Sequence, residues 1–89
     1  MTFEEACAVA MKHFAENWDD KGLLPAAEFS DGWIFIGDSG DDRVRYGKCP
    51  LIIYLDGKSE ISAFPFEKQD ELLERAHARA VPEEYRLVS

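Results

Sequence analysis

Eighty-nine residues are enough for one domain with a single core, burying about 60–65% of the surface that the unfolded chain exposes. A formal charge of −8, from 18 Asp and Glu against 10 Lys and Arg, repels phosphate backbones and anionic membrane surfaces, which argues against nucleic-acid and membrane partners. No apolar run reaches the roughly 18 residues that cross a bilayer, and acids stand near the N-terminus where a signal peptide carries Lys or Arg, so the expected location is the cytoplasm.

The first element is a helix. Thr2-Phe3-Glu4-Glu5 spells a capping box, in which the Thr hydroxyl and the Glu carboxylate each satisfy the other residue's backbone N–H. Phe3, Ala6, Cys7, Ala10, Met11, Phe14 and Trp18 then recur at helical spacing and define one buried stripe. Gly22 is the expected left-handed stop. Leu23 to Asp31 reads as an extended connection with room for a short edge strand, since Pro25 bars a continued helix.

Two apolar strands follow, Gly32 to Gly37 and Pro50 to Leu55. All of Trp33-Ile34-Phe35-Ile36 favours β structure, so both faces of the strand need cover, from a tail, a loop or a second subunit. Asp56-Gly57 reads as a two-residue type I′ turn that pairs the second strand with a half-exposed third one, Lys58 to Phe64. A final helix is expected from about Phe66 to Ala80, with Leu72, Leu73, Ala76 and Ala80 inward and Pro82 closing it. Beyond it, Tyr85, Leu87 and Val88 suggest a last extended segment. The expected fold class is α+β in a single domain over residues 1–89: an N-terminal helix, a three-stranded antiparallel β-meander and a C-terminal helix packed on one face.

Chemistry-bearing residues are few. Cys7 falls on the apolar helical face and reads as core, and Cys49 precedes Pro50 at a strand entrance; they form no Cys-x-x-Cys pair. Asp38, Asp41 and Asp42 cluster between the first two strands. Counted from Asp38, however, a calcium loop would want Gly and Glu where Arg43 and Cys49 stand. Gly40 and Gly47 do not make a phosphate loop, because the Walker spacing is absent. His13 and His77 have no ligand partners at metal spacing, and pairing either with Cys49 as a nucleophile lacks an orienting residue and an oxyanion loop. No metal, cofactor or catalysis is expected.

One stretch carries a resemblance. Gly32-Trp33-Ile34-Phe35, a polar loop, Gly47-Lys48-Cys49-Pro50-Leu51-Ile52-Ile53-Tyr54 and the Asp56-Gly57 turn resemble the bacterial polymorphic-toxin immunity proteins of the family numbered thirty-five. Gly47 and Pro50 match that family's pattern, while Lys48 stands where it usually has Asn. The resemblance covers about the middle third of the chain, in turn and core residues. It implies a protein that binds and neutralises a cognate toxin. Candidate contacts on that reading are Asp38, Asp41 and Asp42 in the loop and the aromatics Trp33 and Tyr46. The alternatives are a homodimeric module that packs the apolar sheet against its twin, and a small-ligand-binding domain or enzyme.

Overall fold

The computed structural model describes residues 1–40, 49–61 and 74–86. Helix α1 spans Phe3–Trp18. Its capping box forms as the sequence implies: Glu5 N–H donates to Thr2 Oγ1 (3.2 Å) and Thr2 N–H donates to Glu5 Oε1 (3.0 Å). Phe3, Ala6, Cys7, Ala10 and Phe14 are buried, with Met11 and Trp18 packed against the same cluster. The stop differs from expectation. Asp19, not Gly22, takes the left-handed conformation (φ 54°, ψ 33°), and the N–H groups of Asp19 and Asp20 both turn back to the Phe14 carbonyl. Asp is one of the few side chains that visits this region routinely, so the helix ends three residues early and Gly22 is released into a strand.

Among the described residues seven short strands follow: β1 (Gly22–Leu23), β2 (Ala26–Phe29), β3 (Gly32–Phe35), β4 (Gly37–Asp38), β5 (Leu51–Tyr54), β6 (Ser59–Ile61) and β7 (His77–Arg79), then a 3₁₀ turn, η1 (Glu83–Tyr85). The expected meander is present as β3, β5 and β6, all antiparallel, but it is one end of a five-stranded sheet of order β6-β5-β3-β2-β7, with β6 at the edge. The connection before β3 supplies β2, joined to it by a tight turn at Ser30-Asp31. A separate antiparallel pair, β1 and β4, lies beside the sheet.

The C-terminal helix is the larger correction. Glu74 and Arg75 are helical, but His77–Arg79 form β7 and pair with β2, Glu28 opposite His77 and Ala26 opposite Arg79. Ala80, expected inward, is exposed, and Pro82 leads into η1 instead of closing a helix. The alternation of β7 sets Arg79 near Glu28, and a backbone ladder with that ion pair outweighs the helical preference of the local sequence. Of the expected helix, residues 66–73 lie outside the described residues, as do 62–64 of the third strand and Leu87 and Val88. The Asp56-Gly57 hairpin forms, with a different turn. Gly57 N–H donates to Tyr54 O (2.9 Å) and Tyr54 N–H to Lys58 O (2.8 Å), a three-residue loop in which Gly57 (φ 94°) has positive φ and Asp56 does not.

Alternation along the sheet builds two cores. Ala26, Trp33, Phe35, Leu51 and Ile53 face α1 and pack with Phe3, Phe14 and Val81. Phe29, Ile34 and Ile52 take the other face, with Ala27, Tyr54 and Ala76 against them. Ile34 and Ile52 are only 5% and 1% exposed, so both sides of the central strands are covered within one chain. Gly32 permits the β3–β5 approach, because a Cβ there would meet Ile53's carbonyl oxygen and lie 2.8 Å from Tyr54 Cα.

Candidate partner-binding surface

Trp33 sits on β3 inside the α1-facing core and is 4% exposed. Its indole Nε1–H donates to Glu28 Oε2 (2.8 Å), and its ring lies 5.7 Å from that of Phe3. Arg79 Nη1 donates to the same Glu28 oxygen, and the guanidinium lies 4.0 Å from the Phe3 ring centroid. Hydrogen bonds from the Trp33 indole first and the Arg79 guanidinium second hold the Glu28 carboxyl below its ordinary range. Trp33 is thus a satisfied core tryptophan that offers no ring to a partner. Nothing in the sequence marked Glu28 or Arg79 as its companions, because β2 and β7 are both formed by residues that favour other structures.

Asp38 is differently placed. It is half-buried on β4, where the β1–β4 ladder sets it opposite Gly22. Lys21 N–H donates to its carbonyl (2.9 Å), Leu24 N–H donates to Ile36 O (3.0 Å), and Gly40 N–H donates to its Oδ1 (3.0 Å). Oδ2 has no partner among the described residues. The close packing of this ladder on the end of α1 depends on Gly37, since a Cβ there would lie 2.7 Å from Asp20 Cγ and 2.8 Å from Phe14 Cβ, both in buried residues. Asp41, Asp42 and Tyr46, the other candidate contacts, lie outside the described residues.

Next to Asp38 opens a cavity of about 450 Å³, lined by Leu23, Leu24, Pro25, Ala80, Val81 and Arg86 as well. A sequence gives no warning of it, because its walls come from the two ends of the chain. Exposed carboxylates flank the fold on several sides: Glu4, Glu5 and Glu16 on α1, Asp56 and Glu60 at the hairpin, Glu83 and Glu84 on η1.

A second cavity, of about 240 Å³, brings His13, Asn17 and Trp18 of α1 together with Cys49 and Ile61. Asn17 Nδ2 donates to the His13 carbonyl (2.8 Å), which orients the amide, and the same nitrogen is 3.4 Å from His13 Nδ1. Which of the two nitrogens donates in that contact depends on the His13 tautomer. Cys7 is fully buried. Loss of solvation pushes its thiol up to about 11, the charges of Glu4 and Glu84 adding to the shift and Arg79 opposing it. Among the described residues no three His, Cys, Asp or Glu side chains gather to hold a metal ion. No helix among them is long and apolar enough to cross a membrane.

No family model, curated protein or solved structure matches the chain.

Proposed function

We propose that the protein is a cytoplasmic binding protein, an immunity protein that neutralises a cognate bacterial toxin by occupying it and has no catalysis of its own. The observation that carries this reading is the spread of exposed carboxylates over helix, hairpin and 3₁₀ turn in a chain of net charge −8. Such a field accelerates encounter with a basic protein and disfavours nucleic acid and anionic lipid. The resemblance of the central strands supplies the class of partner. Asp38, whose Oδ2 has no hydrogen-bond partner among the described residues, is the candidate contact that this reading favours. Asp41, Asp42 and Tyr46 follow it closely in sequence and belong to the same proposal.

The homodimer alternative drew its force from strands apolar on both faces. Phe29, Ile34 and Ile52 are already buried inside one chain, which removes that motive.

Co-expression with the product of the adjacent gene tests the reading. The neighbour should arrest growth alone, lose that effect when this protein is supplied, and co-purify with it at low salt. A harmless neighbour, or a toxic one that is neither rescued nor retained, overturns the proposal.

A further inference from the structure

We infer that the cavity between the β1–β4 ladder and Ala80, Val81 and Arg86 is a docking pocket for an aromatic side chain that is flanked by Lys or Arg on a protein partner. The inference deepens the proposed function and rests on its partner being a protein.

Three features converge there. The floor is apolar and firm: Leu23 and Val81 are 3% and 2% exposed and both belong to the main core cluster. Leu24, one of the few large apolar residues exposed among those described (41%), stands at the same cavity with Ala80. At about 450 Å³ the space falls within the range of ligand pockets, roughly 300–1,000 Å³. A concave apolar floor bordered by polar groups is the form that interface hot spots take, and aromatic side chains are the residues that most often fill them.

The polar border then selects the occupant. Arg86 donates from Nε to the Val81 carbonyl (2.9 Å), which ties its guanidinium to the cavity wall while its terminal amino groups have no partner among the described residues. A tethered guanidinium stacks on an aromatic face and gains more there than against an aliphatic chain. Asp38 provides the opposite charge. Its Oδ1 is held by Gly40, which fixes the carboxylate, and Oδ2, without a partner among the described residues, faces a cation beside the buried ring. The net charge of −8 favours the same sign of partner at long range. A carboxylate-flanked ring would meet repulsion from Asp38, and a lone cation would leave the apolar floor wet.

The test is an NMR titration of the full chain with three peptides: acetyl-Lys-Trp-amide, acetyl-Glu-Trp-amide and acetyl-Lys-Ala-amide. Acetyl-Lys-Trp-amide should produce saturable shifts in the methyl groups of Leu23, Leu24 and Val81. Acetyl-Glu-Trp-amide should bind about two- to fivefold more weakly, the effect of one exposed ion pair, and acetyl-Lys-Ala-amide should give no saturable shift. Leu24→Asp, checked for native circular dichroism, should abolish the response. Asp38→Asn, which keeps the Gly40 hydrogen bond, should erase the difference between the two tryptophan peptides. Shifts centred elsewhere, no shifts, or equal binding of all three peptides overturn the inference. The peptide result is independent of the genetic one. A neighbour that co-purifies while no peptide binds removes the pocket alone, and peptide binding beside a harmless neighbour removes only the toxin.

Discussion

Glu28 is the residue on which most side-chain polarity converges, because one carboxylate oxygen serves both the buried indole of Trp33 and the Arg79 guanidinium. Glu28→Ala leaves the Trp33 N–H without its protein acceptor, so the urea unfolding midpoint should fall. Glu28→Gln keeps an acceptor and should recover much of that loss. The same pair of variants carries a pH signature. A carboxyl held below its unfolded value adds stability that is present above about 4.5, the ordinary value, and is lost as pH falls through the lower folded one. Wild-type stability should therefore decline more steeply on the acid side than that of Glu28→Gln, with Glu5 in the capping box contributing a slope of the same sign to both. Cys7 acts in the opposite direction. Its folded thiol is pushed up to about 11 from 9.0, so stability is lost as pH rises between those values, while the native chain keeps Cys7 protonated. At pH 8 in native buffer iodoacetamide should modify half-buried Cys49 ahead of Cys7, and Cys7 should react at a comparable rate only in denaturant; equal native rates would contradict its burial.

At the level of elements, turn chemistry decides where the chain departs from its apparent pattern. Asp19 holds φ 54° to end α1, a conformation that costs a non-glycine side chain roughly 1 kcal/mol, so Asp19→Gly should raise stability by about 0.5–1 kcal/mol in urea unfolding. Its exposed pair with Lys21, at 3.8 Å, contributes little that would be lost. Gly57 presents the converse. A side chain at φ 94° is strained although nothing obstructs it, and Gly57→Ala should cost about 1–2 kcal/mol, with Gly57→Asn milder. These positions also explain what the sequence made legible. Helix α1 could be read because its cap and seven-residue apolar stripe are local, and β3, β5 and β6 because unbroken apolar runs and Asp56-Gly57 are local too. His77–Arg79 could not, since alanine and arginine favour helix and the segment is a strand because β2 lies beside it; Ala26–Phe29 was legible only as an extended connection with room for a short edge strand, and it is an inner strand between β3 and β7. The site divided in the same way. Asp38 was visible as a loop acid, whereas the apolar cavity next to it needs Leu23 and Val81 to meet across most of the chain.

For the whole molecule, two features bear on whether one copy pairs with another. The charge of −8 repels at a distance, and the sheet's second face is closed by its own chain, with Phe29, Ile34 and Ile52 between 1% and 8% exposed. Salt separates the two. At about 1 M the screening length shrinks to roughly 3 Å, which removes the repulsion and strengthens any apolar association that surface would allow. If the covered face is the operative feature, light scattering at millimolar protein should give the mass of one chain both in dilute buffer and at 1 M salt. A shift to twice that mass on adding salt would mean that an apolar surface is available and that charge alone had kept it unpaired; the homodimer would then regain its standing. The same titration bears on the partner, since a complex steered by carboxylates should associate more slowly as salt rises, while an aromatic ring seated over Leu23 and Val81 should leave the dissociation rate nearly unchanged. A measured loss confined to the association rate is the combination that an acidic surface with an apolar anchoring pocket requires.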